Sequence, residues 1–528
     1  MDKKQSYAML YQLRDYDQKA VVMKPLAREF RATVQVQGIH QQEDYFRSYN
    51  WKETLHEALA SSDEESSSSL VLDVKAFDNP TLSDYLTVMN PGIKVEVKIH
   101  DYDATFKDQM KEVYWIATVK KIFGYYLLCR YEGMDQEGDE SFDFWINMGS
   151  TEMKNVGYSA NGKNSELIPP KAIRKRQNDW SKYIVSKLHE SKTLNAEWEE
   201  QQSTVITEGK FKVGHRLELL DRQISTHVRP AQVIEIVGRR IKVKVREEDL
   251  EPDQRGLEGS DDIQETQGIW MDQTSGLIFP VGWAVRHSYG LLANKSYREH
   301  CQKIVDALSN KEKIPYEEMD VTQELIKEWT EDNTNNSAQI HWKPGMKFEC
   351  LDPLNSSFLE LRVATCIELL GDEGYLKIGF DGPEMEEETI PIHCTSPFLF
   401  PVGYAEEFDI FLHTTDFSWK EYLRQSKSIV APDTLFDTIP TAEEMTKFKI
   451  GAKLEAADLC EPNLICPATL VDIKGRLLRV HFDGWDDDID QLFDYRSHDI
   501  HPVGWCDMHG YKLEYPKGAE QPPKKKKK

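Results

Sequence analysis

Residues 451–506 read GAKLEAADLCEPNLICPATLVDIKGRLLRVHFDGWDDDIDQLFDYRSHDIHPVGWC. The opening KLEAA alternates apolar and polar residues, which is typical of a half-buried strand. The stretch RLLRVHFDG (476–484) is also strand-like, and glycine and acidic turn residues bound it. Short strands separated by turn signals at this density predict a small β-barrel.

The end of this stretch recurs along the chain. PVGW stands at 502–505 and again at 280–283, PVGY stands at 401–404, and a worn VGY stands at 156–158. Self-similarity at such spacing indicates a repeat architecture. Because the final aromatics (Tyr158, Trp283, Tyr404 and Trp505) recur in every unit, we expect them to pack in the core.

The beginning of the stretch recurs as well. FKVGHRLELLD (211–221), WKPGMKFECLD (342–352) and FKIGAKLEAAD (448–458) share a turn glycine, an alternating strand and a closing aspartate. The first unit offers NPGIKVEVKIHD (90–101), in which Ile99 takes the place of the aspartate. The sequence therefore predicts four related barrels.

Helical patches that begin with an aromatic residue lie between the barrels, and each is expected to be an amphipathic arm packing on a barrel. They are WKETLHEAL (51–59), WSKYIVSKL (180–188), YREHCQKIVDAL (297–308) and WKEYLRQS (419–426). Two segments, DEESSSS (63–69) and the acidic loop at 247–265, are expected to be solvated insertions. The predicted divisions are an N-terminal extension (1–44), four repeats (45–172, 178–290, 293–412 and 417–516) and a basic tail (517–528).

Composition limits the classes of function. A chain of 528 residues is too long to fold around a single hydrophobic core. Its net charge of -25 favours a basic partner over nucleic acid. We find no apolar run of membrane-spanning length, no secretory leader, no zinc-type cysteine spacing and no nucleophile motif. The sequence thus predicts an intracellular protein that is not an enzyme and that needs no metal or cofactor.

Two motifs have competing interpretations. GYSANGKN (157–164) nearly matches a phosphate-binding loop, but Asn164 replaces the required hydroxyl and no helical pattern follows, so we expect no phosphate site. PPKKKKK (522–528) resembles a nuclear import signal, with a solvated tail or a tail that contacts nucleic acid as the alternatives. Direct DNA binding is expected only through this tail.

Residues 451–506 resemble a malignant-brain-tumour (MBT) repeat almost from end to end. The first unit, with VYWIATVKKIFGYYLLCRYEG followed by FDFW (142–145), resembles the opening repeat of the four-repeat branch, the lethal(3)malignant brain tumour-like and Sfmbt proteins. This resemblance implies a mostly β chain of four tandem repeats, each a five-stranded barrel with a helical arm. It further implies a non-catalytic nuclear protein that supports transcriptional repression, with methylated histone tails and other repressive chromatin proteins as partners.

In that family, an aspartate after the first strand and three aromatics in F-D-x-W-x-x-x-Y form a cage for mono- or dimethyllysine. Carried over to this sequence, the fourth repeat supplies Asp458, Phe482 and Trp485, and Ile489 stands where the third aromatic would be. Aromatic faces attract a weakly hydrated methylammonium by about 0.5 to 2 kcal/mol per contact. The carboxylate accepts a hydrogen bond from the N–H that trimethyllysine lacks.

The other repeats match the cage less well, and we expect them to be mainly scaffold. Repeat three has Asp352, Asn355 and Phe380, but Pro383 and Glu387 replace the other aromatics. Repeat two keeps Asp221, with Val245 in place of the phenylalanine. The residues that repeat one offers are Tyr131 and Phe142, with Met134 in the tryptophan position and no aligned aspartate.

Each cage residue also has a structural interpretation. Phe482 could be core packing, and Asp458 could cap a turn, as Asp221 and Asp352 recur without a full cage. Trp485 lies in the turn DGWDDD, where a large ring is unfavourable unless it lines a site. The alternative function is an interaction scaffold of a repressor complex that has lost lysine binding.

Overall fold

A computed structural model of the chain describes residues 48–60, 70–100, 112–162, 164–189, 191–195, 197, 198, 200, 209–255, 263–326, 341–382, 385, 388–412 and 417–519. These residues are mostly β and form four curled sheets, here called barrels 1 to 4 in chain order, which confirms the predicted fold class. The extension at 1–44, the insertion at 63–69, the lysines of 522–528, and Pro383 and Glu387 lie outside the described residues.

Every barrel is built from five strands in the spatial order fourth, third, second, first, fifth. Barrel 1 has β1 (Lys94–Lys98), β2 (Glu112–Phe123), β3 (Tyr126–Tyr131), β4 (Phe144–Asn147) and β5 (Met153–Lys154), with β6 (Ser165–Leu167) added beside β2. Barrel 2 has β7 (Arg216–Leu220), β8 (His227–Val237), β9 (Arg240–Val245), β10 (Ile269–Asp272) and β11 (Ile278–Phe279), with β12 (Gly290–Leu291) beside β8.

Barrels 3 and 4 repeat the same order. Barrel 3 has β13 (Met346–Cys350), β14 (Glu360–Leu370), β15 (Tyr375–Phe380), β16 (Thr389–His393) and β17 (Leu399–Phe400), with β18 (Phe411–Leu412) and β19 (Ile429–Val430) at its edges. Barrel 4 has β20 (Lys453–Ala457), β21 (Ile465–Lys474), β22 (Leu477–Phe482), β23 (Gln491–Asp494) and β24 (Ile500–His501).

The long second strand curls each sheet. Its pairing with the third strand shifts register at one point in every barrel, between Leu470 and Asp472 in barrel 4. A bulge of this kind bends a strand and increases its twist. The long second strand can therefore curve around a small core while it pairs with the first strand along one edge and with the third strand along the other. The apolar residues that alternate along these strands fill that core.

A buried glutamate on the first strand joins the two recurring motifs. In barrel 4, Glu455 accepts hydrogen bonds from the backbone N–H groups of Gly504 (2.7 Å) and Cys506 (2.8 Å). Gly504 has φ +93°, which a side chain would strain. Glu96 of barrel 1 does the same for Gly157 and Ser159, so a carboxylate already occupies the N–H groups of the phosphate-loop look-alike. The one-turn helices that end the repeats bury Trp283, Tyr404 and Trp505, as predicted, while Tyr158 is half-buried.

Four helical arms support the barrels: α1 (Lys52–Ala60), α2 (Trp180–Leu188), α3 (Lys295–Asn310) and α4 (Trp419–Ser426). The indole of Trp419 in α4 donates to Glu349 of barrel 3 (2.6 Å), so this arm packs on the barrel that precedes it. The arm at the beginning of the chain packs on barrel 4, where Trp51 donates to Glu455 (2.9 Å) and Val71 pairs with Lys453. The first arm therefore contacts the last barrel rather than only the barrel that follows it in sequence. One-turn helices complete the structure at Tyr158–Asn161, Ile263–Thr266, Trp283–Arg286, Gln323–Ile326, Tyr404–Glu407, Ala442–Met445 and Trp505–His509.

Barrels 2, 3 and 4 form a triangle. The terminal helix of barrel 2 meets the β14–β15 turn, where the ring of His287 lies 3.1 Å from the carbonyl oxygen of Leu370. The Tyr404 hydroxyl of barrel 3 donates to the Lys474 carbonyl of barrel 4 (2.8 Å). Arg240 of barrel 2 closes the triangle by donating to the Pro462 carbonyl of barrel 4 (2.6 Å). Barrel 1 attaches to the side of barrel 4 through Asn147, which donates to Gly504 (2.8 Å).

Candidate functional site

Asp458 follows the first strand of barrel 4, and its carboxylate is held in one orientation. Its Oδ1 atom accepts hydrogen bonds from the backbone N–H groups of Cys460 (2.9 Å) and Glu461 (3.3 Å) and from the side-chain amide of Gln491 (2.7 Å). In the described part of the chain, its Oδ2 atom has no such donor, and no lysine or arginine nitrogen lies within 4.0 Å of the carboxylate. One oxygen is therefore structural, and the other remains available to accept a hydrogen bond from a ligand.

Gln491 is a site residue that the sequence interpretation missed. It donates to Asp458, and its own oxygen accepts the backbone N–H of Leu459 (2.8 Å), so it ties β23 to the turn that carries the carboxylate. The corresponding register positions in the other barrels are apolar, namely Phe144, Ile269 and Ile390. A comparison of the four third-to-fourth strand pairs would have found this change.

The register of barrel 4 places Phe482 on the same face of the sheet as Asp458. Ala456, two residues before Asp458, pairs with Cys466, and Ala468, two residues after Cys466, pairs with Phe482. Paired residues share a face, and so do residues two apart along a strand. Phe482 is 4% exposed and also contacts the core, so its structural and candidate binding roles coexist.

Trp485 lies in the turn after β22 and is 43% exposed. Its backbone N–H donates to the Phe482 carbonyl (3.1 Å), and the Lys517 ammonium lies 4.9 Å from its ring centroid. The neighbouring Asp486 and Asp487 side chains are 84% and 85% exposed. An exposed indole beside exposed carboxylates suits a positively charged ligand.

Two further side chains, Ile489 and Phe493, decide whether the cage has a third wall. Ile489 ends the short helical turn Asp487–Ile489 and is 41% exposed. Its side chain therefore leaves the cage open on the side where the family has its third aromatic ring. Phe493 is 2% exposed in the barrel core and does not replace the missing ring. Asp483, the aspartate of the F-D-x-W motif, is bound by Lys453 (2.8 Å) and Thr469 (2.6 Å), which makes it part of the scaffold.

One cluster near the site has the donor types of a metal centre. His481, Asp487 and Asp490 offer ligand atoms that lie within 4.8 Å of one another. Both oxygens of Asp490 are already engaged, because Arg479 and His481 each lie 2.8 Å away. We describe it as an ion-pair network that holds the Trp485 turn.

Barrel 3 has the same arrangement of aspartate and ring, but an arginine fills it. Arg362 binds Asp352 (2.7 Å), and its guanidinium carbon lies 4.2 Å from the centroid of Phe380. Asn355, the remaining candidate of this repeat, is engaged with Glu360 (3.0 Å) and the backbone of Ser357 (3.3 Å). A single cation, the Arg362 guanidinium, therefore contacts both the carboxylate of Asp352 and the ring of Phe380.

Barrel 2 contains a second internal arginine. The Arg229 guanidinium lies 3.0 Å from Asp221 and 2.5 Å from Glu265, and it donates a hydrogen bond to Gln264 (2.9 Å). Glu265 and Gln264 belong to the short helix at the end of the acidic insertion, so this part of the predicted solvated loop is buried instead. Val245 is 3% exposed and offers no ring.

In the described part of barrel 1, Ile99 stands in the position of the aspartate, and the two predicted rings are buried or half-buried. Tyr131 is 2% exposed and contacts Phe144 with their ring centroids 4.5 Å apart, and Phe142 is half-buried in a short helix. Trp115 is fully buried where barrels 2 and 3 have their arginines. The aromatic residues of this repeat therefore pack against one another.

A large cavity among the described residues, about 590 Å³, lies elsewhere. It is enclosed by barrels 2, 3 and 4, and Asp458 is part of its wall, but neither Phe482 nor Trp485 lines it. A single methylated side chain needs a narrow, ring-lined pocket, so the size of this cavity does not identify the lysine site.

Comparisons with known proteins agree with these features. The family model described as the mbt repeat matches residues 106–174, 215–298, 346–416 and 452–520. Protein lin-61 of Caenorhabditis elegans is 36% identical over 489 residues (89% of this chain, 76% of that protein). MBT domain-containing protein 1 of Homo sapiens is 32% identical over 498 residues (92% and 70%), and Polycomb protein Sfmbt of Drosophila melanogaster is 33% identical over 443 residues (80% and 33%).

A solved structure matches as well. The four MBT repeats of Drosophila melanogaster Sfmbt, crystallised in complex with the peptide RHR(me)KVLR, match with a TM-score of 0.71 and 30% identity over 89% of this chain and 99% of that one. Among the described helices, none combines the length and apolar character needed to cross a membrane. The four family matches span more than half of the sequence, and the chain therefore belongs to the MBT-repeat family of non-enzymatic reader modules.

Proposed function

We propose that this protein is a nuclear chromatin reader that binds mono- or dimethylated histone lysine through barrel 4 and supports transcriptional repression. The carrying observation is the Asp458 carboxylate, which is fixed through one oxygen, has its other oxygen available, and shares a face with Phe482. The methylammonium N–H donates to Asp458, while the rings of Phe482 and Trp485 cover the methyl groups.

The surroundings of the site favour a histone tail as the source of the lysine. The turn around Trp485 carries exposed carboxylates at Asp486 and Asp487, and the whole chain has a net charge of -25. Such a field attracts a basic peptide and repels the phosphate backbone of DNA. The Sfmbt repeats, which share this architecture, were crystallised with a methylated lysine peptide. Nuclear location and repression rest on the family resemblance and the lysines of 522–528.

A scaffold function is the second candidate, and the filled pockets of barrels 2 and 3 favour it. Arg229 and Arg362 form ion pairs with the aspartates that a methyllysine would need as hydrogen-bond acceptors. These barrels then serve as structural walls of the triangle or as contacts for other repressor subunits. The two functions differ in whether barrel 4 recognises methylation.

The deciding experiment is a fluorescence-polarisation titration of the full chain with histone peptides in four states: unmodified, mono-, di- and trimethylated. We expect the mono- and dimethylated peptides to bind more tightly than the unmodified one. Asp458→Asn preserves shape but removes the charge, and should weaken their binding by about 1.5 to 3 kcal/mol, a tenfold to more than hundredfold loss. The trimethylated peptide should lose less, because it makes no N–H hydrogen bond to the carboxylate.

The matched control is Asp352→Asn in barrel 3, which should leave histone binding nearly unchanged because Arg362 covers that carboxylate. Equal affinity of the wild-type chain for all four peptides would leave the scaffold function. If Asp352→Asn has the larger effect, the reading site lies in barrel 3.

A further inference from the structure

One position of the repeat differs among the barrels in a way that controls the cage. In each barrel, the first-strand residue two positions before the cage aspartate, or before its equivalent, pairs with a residue of the long second strand. We call this second-strand residue the plug position. The pairs are Val97 with Trp115, Leu219 with Arg229, Cys350 with Arg362, and Ala456 with Cys466. An alanine two residues further along the strand faces the ring position in every barrel.

In barrel 3 the plug makes the contacts that a methyllysine would make. Arg362 donates to Asp352 (2.7 Å) and lies over the face of Phe380 (4.2 Å), and its other nitrogen binds Glu388 (2.8 Å). A guanidinium is a planar, weakly hydrated cation that favours both carboxylates and aromatic faces. The pocket of barrel 3 therefore already contains a cation supplied by the chain.

Barrel 2 reaches the same result with different partners. Arg229 keeps the contact with the cage aspartate, Asp221 (3.0 Å), but its second partner is Glu265 from the insertion rather than a ring. The arginine and the aspartate are common to both barrels, whereas the remaining contacts differ. The plug itself is thus the shared feature of the two closed pockets.

Barrel 4 has Cys466 instead of an arginine at the plug position. Cys466 is 8% exposed, and its side chain ends one atom beyond Cβ, so it leaves the Oδ2 atom of Asp458 accessible. Burial, with the neighbouring Asp458 carboxylate adding to the effect, raises the pKa of the Cys466 thiol to about 12. The thiol is accordingly neutral near pH 7 and does not compete for the pocket as a charge.

We propose that the plug position determines which repeat admits a methyllysine: arginine closes barrels 2 and 3 from within, and Cys466 opens barrel 4. The pocket of barrel 3 is then a latent cation site whose occupant belongs to the same chain. This inference rests on the proposed reader function of barrel 4.

The test introduces the plug into barrel 4 of the full chain as Cys466→Arg and titrates a dimethyllysine histone peptide by fluorescence polarisation. An internal cation that occupies Asp458 for nine-tenths of the time lowers the apparent affinity about tenfold, so we expect at least a tenfold loss. Cys466→Met, which fills similar space without charge, should lose less than threefold. Equal losses for the arginine and methionine variants would overturn the proposal, because bulk alone would then close the pocket.

A reciprocal variant keeps the test decisive if Cys466→Arg does not fold, as judged by circular dichroism and thermal unfolding. In an Asp458→Asn background, Arg362→Ala should restore measurable binding of the dimethyllysine peptide, and no gain would contradict a latent site. If the wild-type chain itself does not distinguish methylated from unmodified peptide, the proposed function fails. If it does and Cys466→Arg binds as tightly as wild type, only the plug inference fails.

Discussion

The first arm of the chain supports the last barrel, so removing its tryptophan should weaken histone binding at a site more than 400 residues away in sequence. Trp51 is 1% exposed and donates its indole N–H to Glu455 (2.9 Å). Replacing a buried tryptophan by alanine costs about 3 to 5 kcal/mol. Burial raises the pKa of Glu455, and Trp51→Ala removes one hydrogen-bond donor of this buried carboxylate, while its backbone donors at Gly504 and Cys506 remain.

The magnitude is large compared with the stability of a single domain, which is about 5 to 15 kcal/mol. We therefore expect Trp51→Ala to speed amide hydrogen exchange in β20 and β24, the strands beside Glu455, and to weaken binding of the dimethyllysine peptide. Trp419→Ala is the matched control, because Trp419 makes the same contact with Glu349 in barrel 3. It should destabilise β13 and β17 while leaving histone binding within about threefold of wild type.

The assay is hydrogen exchange followed by mass spectrometry, with peptide titration on the same samples. Faster exchange of barrel 1 with unchanged barrel 4 would refute the reasoning, since the first arm would then support the barrel next to it in sequence.

Three further predictions address the site, the tail and pH. Ile489→Tyr should supply the missing wall and tighten dimethyllysine binding by about 0.5 to 2 kcal/mol in the same titration; no gain with an intact fold would show that residue 489 does not line the pocket. Deleting lysines 524–528 should shift the protein from nucleus to cytoplasm in fluorescence microscopy, and an unchanged location would assign import to another signal. Burial lowers the pKa of His509 to about 3, below its ordinary value of 6.5, so the stability it contributes is present above pH 6.5 and is lost as the pH falls toward 3. Chemical denaturation at pH 7 and pH 5 should show a loss about 2 kcal/mol larger for wild type than for His509→Gln, and equal losses would contradict the burial of a neutral ring.

Local sequence patterns carried most of the fold. The recurring glycines and apolar alternation predicted four β units because such features act within one strand or one turn, and the PVG turns indeed fix a positive φ at Gly504 and its equivalents. The aromatic starts of the arms were equally visible. Local patterns did not reveal the partner of each arm, because the contact between Trp51 and Glu455 joins residues about 400 positions apart in the sequence.

The same limit applies to the site. The spacing of Asp458, Phe482 and Trp485 is a local signal, and it is recognised through the family resemblance. Their role in methyllysine binding is the one that we propose. The arginines that fill barrels 2 and 3 act across strands, so they appear only when the register pairs Arg229 with Leu219 and Arg362 with Cys350. The role of Gln491 could not be predicted from the sequence for the same reason, because it depends on contacts between neighbouring segments of the sheet.

These observations separate what all four barrels need from what one barrel does. Glu455 and its equivalents hold the terminal helix in every repeat, so those residues cannot distinguish a reader from a scaffold. The cage aspartate occurs in barrels 2, 3 and 4, and it binds an arginine in two of them. The aspartate therefore binds a cation of the same chain in barrels 2 and 3, and we propose that in barrel 4 its cation is the methyllysine of a partner. Under that proposal, recognition by barrel 4 depends on the small side chain of Cys466 as well as on the rings of Phe482 and Trp485.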